Sequence, residues 1–282
     1  MSEAVTAGAS GTAVFTTRDG TELLERHWIV ASPKACVVIV HGYGEHSARY
    51  GHVAGRFNDE DFSVYAYDQR GHGESPGKMG TVESIELLAD DLDEFLKEVR
   101  GRAADVPIFL FGHSMGGLVL AVFTIKHSPD VRGLLFSSAG IKAADVSPAL
   151  RIISALLARI LPDFPVHELD SSGISRAPEV VARYNNDPLV YHGKIGARTG
   201  HALMKAIDFV GLHLGEIALP FIALHGRKDR LVPYAASELL YQRAGSKDKS
   251  IKLYQDAYHE VFNDLGSEEF MNDTVDWIKA HL

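Results

Sequence analysis

The stretch that most constrains this chain is Gly112-His113-Ser114-Met115-Gly116-Gly117, because of what stands on either side of it. Before it, Pro107-Ile108-Phe109-Leu110-Phe111 is short, apolar and opened by proline, which predicts a buried strand; after it, Leu118 to Lys126 reads as a helix. Strand, sharp turn and helix therefore meet at Ser114. In a Gly-x-Ser-x-Gly turn the serine takes a strained backbone conformation, and the flanking glycines remove Cβ atoms that would clash where strand and helix cross. The hydroxyl is pushed out at the helix N-terminus, where backbone N–H groups favour developing negative charge. Such spacings arise by chance in a chain with 26 glycines, so the flanking strand and helix are what make Ser114 a candidate nucleophile.

The rest of the chain alternates in the same way. Val14 to Thr17 and Leu23 to Val30 flank Asp19-Gly20, a hairpin signal. Cys36 to Val40 is a continuous apolar strand of the kind covered on both faces, and it runs into His41-Gly42-Tyr43-Gly44-Glu45-His46. A helix is expected from about Ala48 to Asn58, then a strand from Phe62 to Tyr67. From Ser84 to Arg100, Ile85, Leu88, Leu92, Phe95 and Val99 recur at spacings of three and four, an amphipathic helix. Val131 to Ser137 is the next strand. Strand, helix, strand in this order implies a parallel sheet with right-handed crossovers, whose ligands bind at the carboxyl ends of the strands.

Between about Ala139 and Ala218 the alternation stops. Leu150, Ile153, Leu157 and Leu161 form one helical stripe, widened by Ile152, Leu156 and Ile160 and stopped by Pro162 and Pro165; more helix is expected over Pro178 to Tyr184 and Ala197 to Leu214. This reads as a helical insertion whose stripe is either core packing or an exposed, lipid-facing lid. The sheet resumes with Pro220 to Leu224 and Ile251 to Tyr254. A closing helix over Glu268 to Leu282 is expected to turn Phe270, Val275, Ile278 and Leu282 inward.

The bulk properties exclude several classes. With 282 residues and 46% hydrophobic content the chain can fill a sizeable core, and its net charge of −9 repels a nucleic-acid backbone. The single cysteine, Cys36, allows no internal disulfide, fits a cytoplasmic setting and sits in an apolar run that implies packing. Residues 1–11 are small and polar and are expected to fray; they lack the pattern of a signal peptide, and no run reaches the roughly 18 apolar residues of a membrane span. Membrane contact would be peripheral. The histidines are too scattered to suggest a metal site, and no cofactor is implied.

A serine hydroxyl needs a base within hydrogen-bond reach and a group that fixes the base's tautomer. Around a turn of this kind the order along the chain is serine, acid, histidine. Asp229 follows the strand Phe221 to Leu224, and His259 follows the final strand, giving Ser114, Asp229 and His259 as the triad. His225 is a rival base, but it precedes Asp229 and reads as structural or pocket-lining. The oxyanion donors are the N–H of Met115, directly after the serine, and the N–H of Tyr43 in the glycine-rich loop after Val40.

These residues carry a resemblance. His41-Gly42-Tyr43-Gly44-Glu45-His46-Ser47-x-Arg49-Tyr50, Asp68-Gln69-Arg70-Gly71-His72-Gly73-x-Ser75, the Ser114 turn, Tyr184-Asn185-Asn186-Asp187-Pro188-Leu189 and Asp229-Arg230-Leu231 together resemble the monoacylglycerol lipases of the α/β-hydrolase superfamily, over about residue 12 to the end. The resemblance implies an α/β-hydrolase core (12–139 and 215–282), a helical cap over 140–214, and hydrolysis of monoacylglycerols to fatty acid and glycerol. It places the same triad and oxyanion residues, and Tyr43 is bulkier than the residue common at its position. Glycerol hydroxyls need polar partners, and Glu45, Arg49, His113 and Tyr184 are placed to supply them; for Glu45 and Arg49 an ion pair bracing the loop is an equal alternative. Asp68, Arg70 and His72 read as braces of the sheet edge. Lysophospholipids, short-chain or monoalkyl aromatic esters are alternative substrates, and a small-ligand binding protein on the same fold is the alternative from another class.

Overall fold

The computed structural model describes residues 10–103, 106–142 and 148–282. The alternation read from the sequence becomes β1 (Ser10–Thr16), β2 (Glu22–Trp28), β3 (Ala35–Val40), α1 (Gly51–Asn58), β4 (Phe62–Tyr67), α2 (Ile85–Arg102), β5 (Ile108–His113), α3 (Met115–His127) and β6 (Gly133–Ser137). An insertion follows, with α4 (Pro148–Ile160), β7 (Pro165–His167), α5 (Pro178–Asn186), β8 (Ile195–Gly196) and α6 (Ala197–His213). The chain then returns through β9 (Phe221–Gly226), α7 (Ala235–Arg243), β10 (Lys249–Tyr254) and α8 (Ser267–Ala280).

Among the described residues the main sheet has eight strands in the order β1-β2-β4-β3-β5-β6-β9-β10. It is parallel from β4 to β10, with β1 and β2 antiparallel at one edge. The register pairs Val40 with Gly112, His113 with Ser137, Ser137 with Leu224 and Tyr254 with Gly226, so the carboxyl ends of five strands reach one edge together.

Helices cover both faces, which explains the unbroken apolar runs. In β3, Cys36, Val38 and Val40 face a core built with α2, α3 and α6, while Ala35, Val37 and Ile39 face a core built with α1 and α8. Cys36 has no exposed surface, and burial pushes its thiol up to about 12, so it packs and does not react. The α2 stripe is buried as the spacing required, with Ser84 capping the helix by accepting from the Leu87 N–H. Phe95 alone meets the rings of Phe15 at 4.8 Å and Tyr67 at 4.7 Å. A buried side chain of this size contributes about 1.5–3 kcal/mol.

The structure departs from the sequence reading in several places. The frayed terminus expected over 1–11 falls largely outside the described residues, but Ser10 and Gly11 already pair in β1 with Trp28 and His27. The helix expected from Ala48 opens as a 3-10 turn, Ser47–Tyr50, because Asp68 Oδ1 takes both the N–H and the hydroxyl of Ser47 and fixes the chain there. Leu282 is 44% exposed because α8 ends before it; Trp277 and Met271 are buried instead. The short helix α7 gave no readable amphipathic signal. The insertion holds a two-stranded ribbon, β7 with β8, where only helix was expected. Its last helix, α6, packs Ala202, Ala206 and Val210 into the main core. The side chains of Leu150 and Ile152 lie outside the described residues. Of the rest of the stripe, Ile153, Leu156, Ile160 and Leu161 are 52 to 63% exposed, which favours the exposed face over core packing.

Helix α3 crosses β3 at van der Waals limits. A Cβ on Gly116 would stand 2.0 Å from the Val40 carbonyl oxygen and 2.6 Å from that of His41, both backbone. Gly116→Ala is therefore expected to lower stability by about 3 kcal/mol or more, read as a fall in the urea midpoint at unchanged slope.

Candidate active site

Ser114 sits between β5 and α3 with φ 52° and ψ −115°, a conformation that costs roughly 1–3 kcal/mol in a residue other than glycine. The surroundings over-determine it. Its N–H bonds the Ser137 carbonyl at 2.9 Å, and its own carbonyl accepts from Gly117 at 3.0 Å and from Gly140 at 2.9 Å. The side chain makes no capping bond to its helix and is half-buried. Its hydroxyl is therefore not committed to the helix end, while Met115, the first helical residue, has an N–H with no acceptor inside the helix.

Asp229 and His259 are delivered by the loops after β9 and β10 and meet at 2.7 Å, Nδ1 of His259 donating to Oδ2 of Asp229. The carboxylate is fully buried. Its Oδ1 accepts the N–H groups of Leu231 at 2.8 Å and Val232 at 2.9 Å, and Oδ2 accepts a second imidazole, His225 Nε2, at 3.0 Å. Burial alone would raise its pKa, but the two histidines outweigh burial and hold it well below the usual carboxylate range. For His259 burial opposes the charge, yet Asp229, Glu260 and Glu45 together raise its pKa above the ordinary 6.5. The ring lies 4.8 Å from that of His113, the residue before Ser114, and its backbone carbonyl accepts from the Ser138 hydroxyl at 2.8 Å. An imidazole held through Nδ1 in this way offers Nε2 as an acceptor, which is what a hydroxyl nucleophile requires.

The loop after β3 lies against the same point. A Cβ on Gly42 would be 3.3 Å from Ser114 Cβ. The Gly42 N–H is taken by Glu45 Oε1 at 2.6 Å, which turns that amide inward and leaves the Tyr43 amide as the next one along. The Tyr43 side chain points away to the Gly80 carbonyl at 2.7 Å, with its ring edge on His72 and Tyr191. Tyr191 in turn donates its N–H to the Gly44 carbonyl at 2.7 Å, so the insertion is tied to this loop.

Glu45 and Arg49 form the ion pair that was one of their two expected roles, at 2.5 Å, and a third residue joins it. Glu260 binds the Arg49 guanidinium through both oxygens, at 2.8 and 2.7 Å. Glu260 was not singled out in the sequence; its only signal was its place directly after His259. Tyr50 adds its hydroxyl to Glu45 Oε1 at 2.8 Å. Tyr184, from α5, lies with its ring 4.8 Å from the Arg49 guanidinium carbon and its hydroxyl beside Gly44. His113 is buried with Nδ1 on the Ser137 carbonyl and hydroxyl, and burial, reinforced by His259, drives its pKa well below 6.5. Asp68 and Arg70 are braces: Asp68 gathers Ser47 and Glu74, and Arg70 joins Asp91 to Asp19. His72 is buried, its Nδ1 beside the Arg70 carbonyl at 2.9 Å. Among the described residues no group of three or more histidine, cysteine or acidic side chains could hold a metal ion.

A family model described as "Serine aminopeptidase, S33" matches residues 31–266. The monoacylglycerol lipase of Mycolicibacterium smegmatis is 38% identical over 258 residues, covering 89% of this chain and 90% of that protein. The monoglyceride lipase of Rattus norvegicus is 34% identical over 269 residues, covering 94% of this chain and 89% of that one. Among solved structures, the Paleococcus ferrophilus monoacylglycerol lipase superposes with a TM-score of 0.80 at 32% identity, covering 97% of this chain and all of its own.

The buried charges give a direct test. Arg49→Met keeps the length of the side chain but leaves Glu45 and Glu260 without their cation, and breaking a buried pair from one side costs about 3–5 kcal/mol. Chemical unfolding of this variant at neutral pH should show a loss of that order, as a fall in the denaturant midpoint.

Proposed function

Because the chain belongs to the monoacylglycerol lipase family of the α/β-hydrolase superfamily, and is a carboxylic ester hydrolase, we propose that it cleaves monoacylglycerols to a fatty acid and glycerol through an acyl-enzyme on Ser114. The observation that carries the proposal is the 2.7 Å bond from His259 Nδ1 to Asp229 at the strand ends, with the His259 ring 4.8 Å from that of His113, the residue before a serine held at φ 52°. In this reading Ser114 Oγ attacks the ester carbonyl while His259 Nε2 takes its proton. The N–H groups of Tyr43 and Met115 receive the negative charge that forms on the carbonyl oxygen; loss of one such donor typically costs about 2.7–4 kcal/mol. Collapse expels the glycerol oxygen, protonated by His259. Water then attacks the acyl-enzyme with the same base, releasing the acid and restoring Ser114.

Tyr184 and His113 border the leaving-group side, and Tyr184 is the group that meets a glycerol hydroxyl. Glu45 and Arg49 serve there by holding the loop, since their charges are already matched within the protein. The insertion acts as a cap: Ile153, Leu156, Ile160, Leu161, Phe164 and Val166 offer an apolar face, 47 to 63% exposed, through which the enzyme meets a lipid surface peripherally. No helix of the described residues is long and apolar enough to cross a membrane.

The test is release of fatty acid from mono-, di- and triacylglycerols of varied chain length, beside a soluble aromatic ester and Ser114→Ala. The expected outcome is preference for monoacylglycerols and a loss of about 10⁴-fold or more in Ser114→Ala, with folding unchanged. Equal or faster turnover of the aromatic ester would move the substrate to a broader ester class, and a fully active Ser114→Ala would end the acyl-enzyme mechanism. The pH profile is a further test. The base must be uncharged to accept a proton, and the pKa of His259 is raised, so kcat/KM should fall on the acid side through a pKa above 6.5.

A further inference from the structure

His225 ends β9 beside its last residue, fully buried, and the reaction above makes no use of it. Its Nε2 faces two acceptors, Asp229 Oδ2 at 3.0 Å and the Val232 carbonyl at 3.1 Å. A ring nitrogen between a carboxylate and a carbonyl must carry the hydrogen, so Nε2–H is the donor. Nδ1 faces the hydroxyl of Ser237 at 2.8 Å, on α7 and also without exposed surface. That hydroxyl can turn its hydrogen onto Nδ1, and the ring is fixed from both ends.

The oxygen His225 holds is the one that receives His259 Nδ1–H, while the Leu231 and Val232 amides occupy the other. We propose that His225 is a positioning residue for ester hydrolysis: its Nε2–H pins the Asp229 carboxylate so that Oδ2 presents a single direction to His259, and it draws negative charge from that oxygen. The proposal rests on the Ser114–Asp229–His259 reading above. Without His225, two amides on Oδ1 remain, about which the carboxylate tilts, and the undivided charge on Oδ2 holds protonated His259 more firmly. The His259 ring also lies against His113 from β5 and is acted on by the charges of Glu260 beside it and Glu45 from the loop after β3, both of which pair with Arg49. A substitution at His225 touches none of these.

The experiment compares His225→Met, which fills the space without a donor, with His225→Gln, whose amide N–H reaches toward the Nε2 position. Steady-state kinetics on p-nitrophenyl butyrate are followed from about pH 5 to about pH 9 beside wild type and Ser114→Ala, with thermal unfolding of each. His225→Met should lose about 10- to 100-fold in kcat at nearly unchanged KM, with the acid limb of kcat/KM moved to higher pH, and His225→Gln should recover most of the rate. A His225→Met enzyme with wild-type kcat and acid limb, whatever its Tm, overturns the proposal. Should that variant not fold, Ser237→Ala removes the second anchor of the ring: a several-fold loss in kcat at unchanged KM supports the role, and wild-type kcat overturns it. A fully active Ser114→Ala would instead bring down the hydrolytic reading, and the role of His225 with it.

Discussion

The contact on which the site depends is the approach of α3 to the carboxyl ends of β3 and β5. Gly116 stands so close to the Val40 and His41 carbonyls that no Cβ fits, and the chain must turn at Ser114 with a backbone angle that only a rigid frame sustains. The frame is the sheet. Ser114 is bonded to Ser137 on one side and Gly140 on the other, and both belong to the neighbouring strand and its loop. Strain at one residue is thus balanced against packing spread over two cores.

Parallel pairing does the rest of the assembly. Adjacent strands in register finish at one edge, so loops from positions 41, 114, 229 and 259 converge although they are far apart in the chain. What they bring is mostly charge, and nearly all of it is matched. Asp229 takes four donors, and Arg49 lies between Glu45 and Glu260. Matching lets these groups stay ionised without exposure to water, and the surplus of carboxylates around His259 sets the direction of its pKa.

The insertion is built on different terms. Its inner side is tied to the core by α6, by the Tyr191 N–H on Gly44 and by His46 on Asp187 at 3.0 Å. Its outer side leaves large apolar residues uncovered. The bond from Tyr191 to Gly44 joins the insertion to the loop that carries the Tyr43 amide, and the bond from Tyr43 to Gly80 ties that loop to the connection before α2. Movement of one is therefore felt by the other.

The sequence by itself determined the alternation of strands and helices, the turn at Ser114 and the order of Asp229 and His259 after it. Each of these is written locally, in apolar periodicity, in glycine spacing and in chain order. Periodicity also found the α4 stripe, but it is silent on whether an apolar stripe meets a core or solvent, and exposure of Ile153 and Ile160 was decided by what packs nearby. The ribbon of β7 and β8 is too short to carry a pattern, and α7 too weakly two-sided. Glu260 on Arg49, His225 on Asp229 and Tyr43 on Gly80 were decided only by the tertiary structure. A hydrogen bond or ion pair acts over about 3 Å of space and leaves no trace in residue spacing when its partners come from separate strand ends.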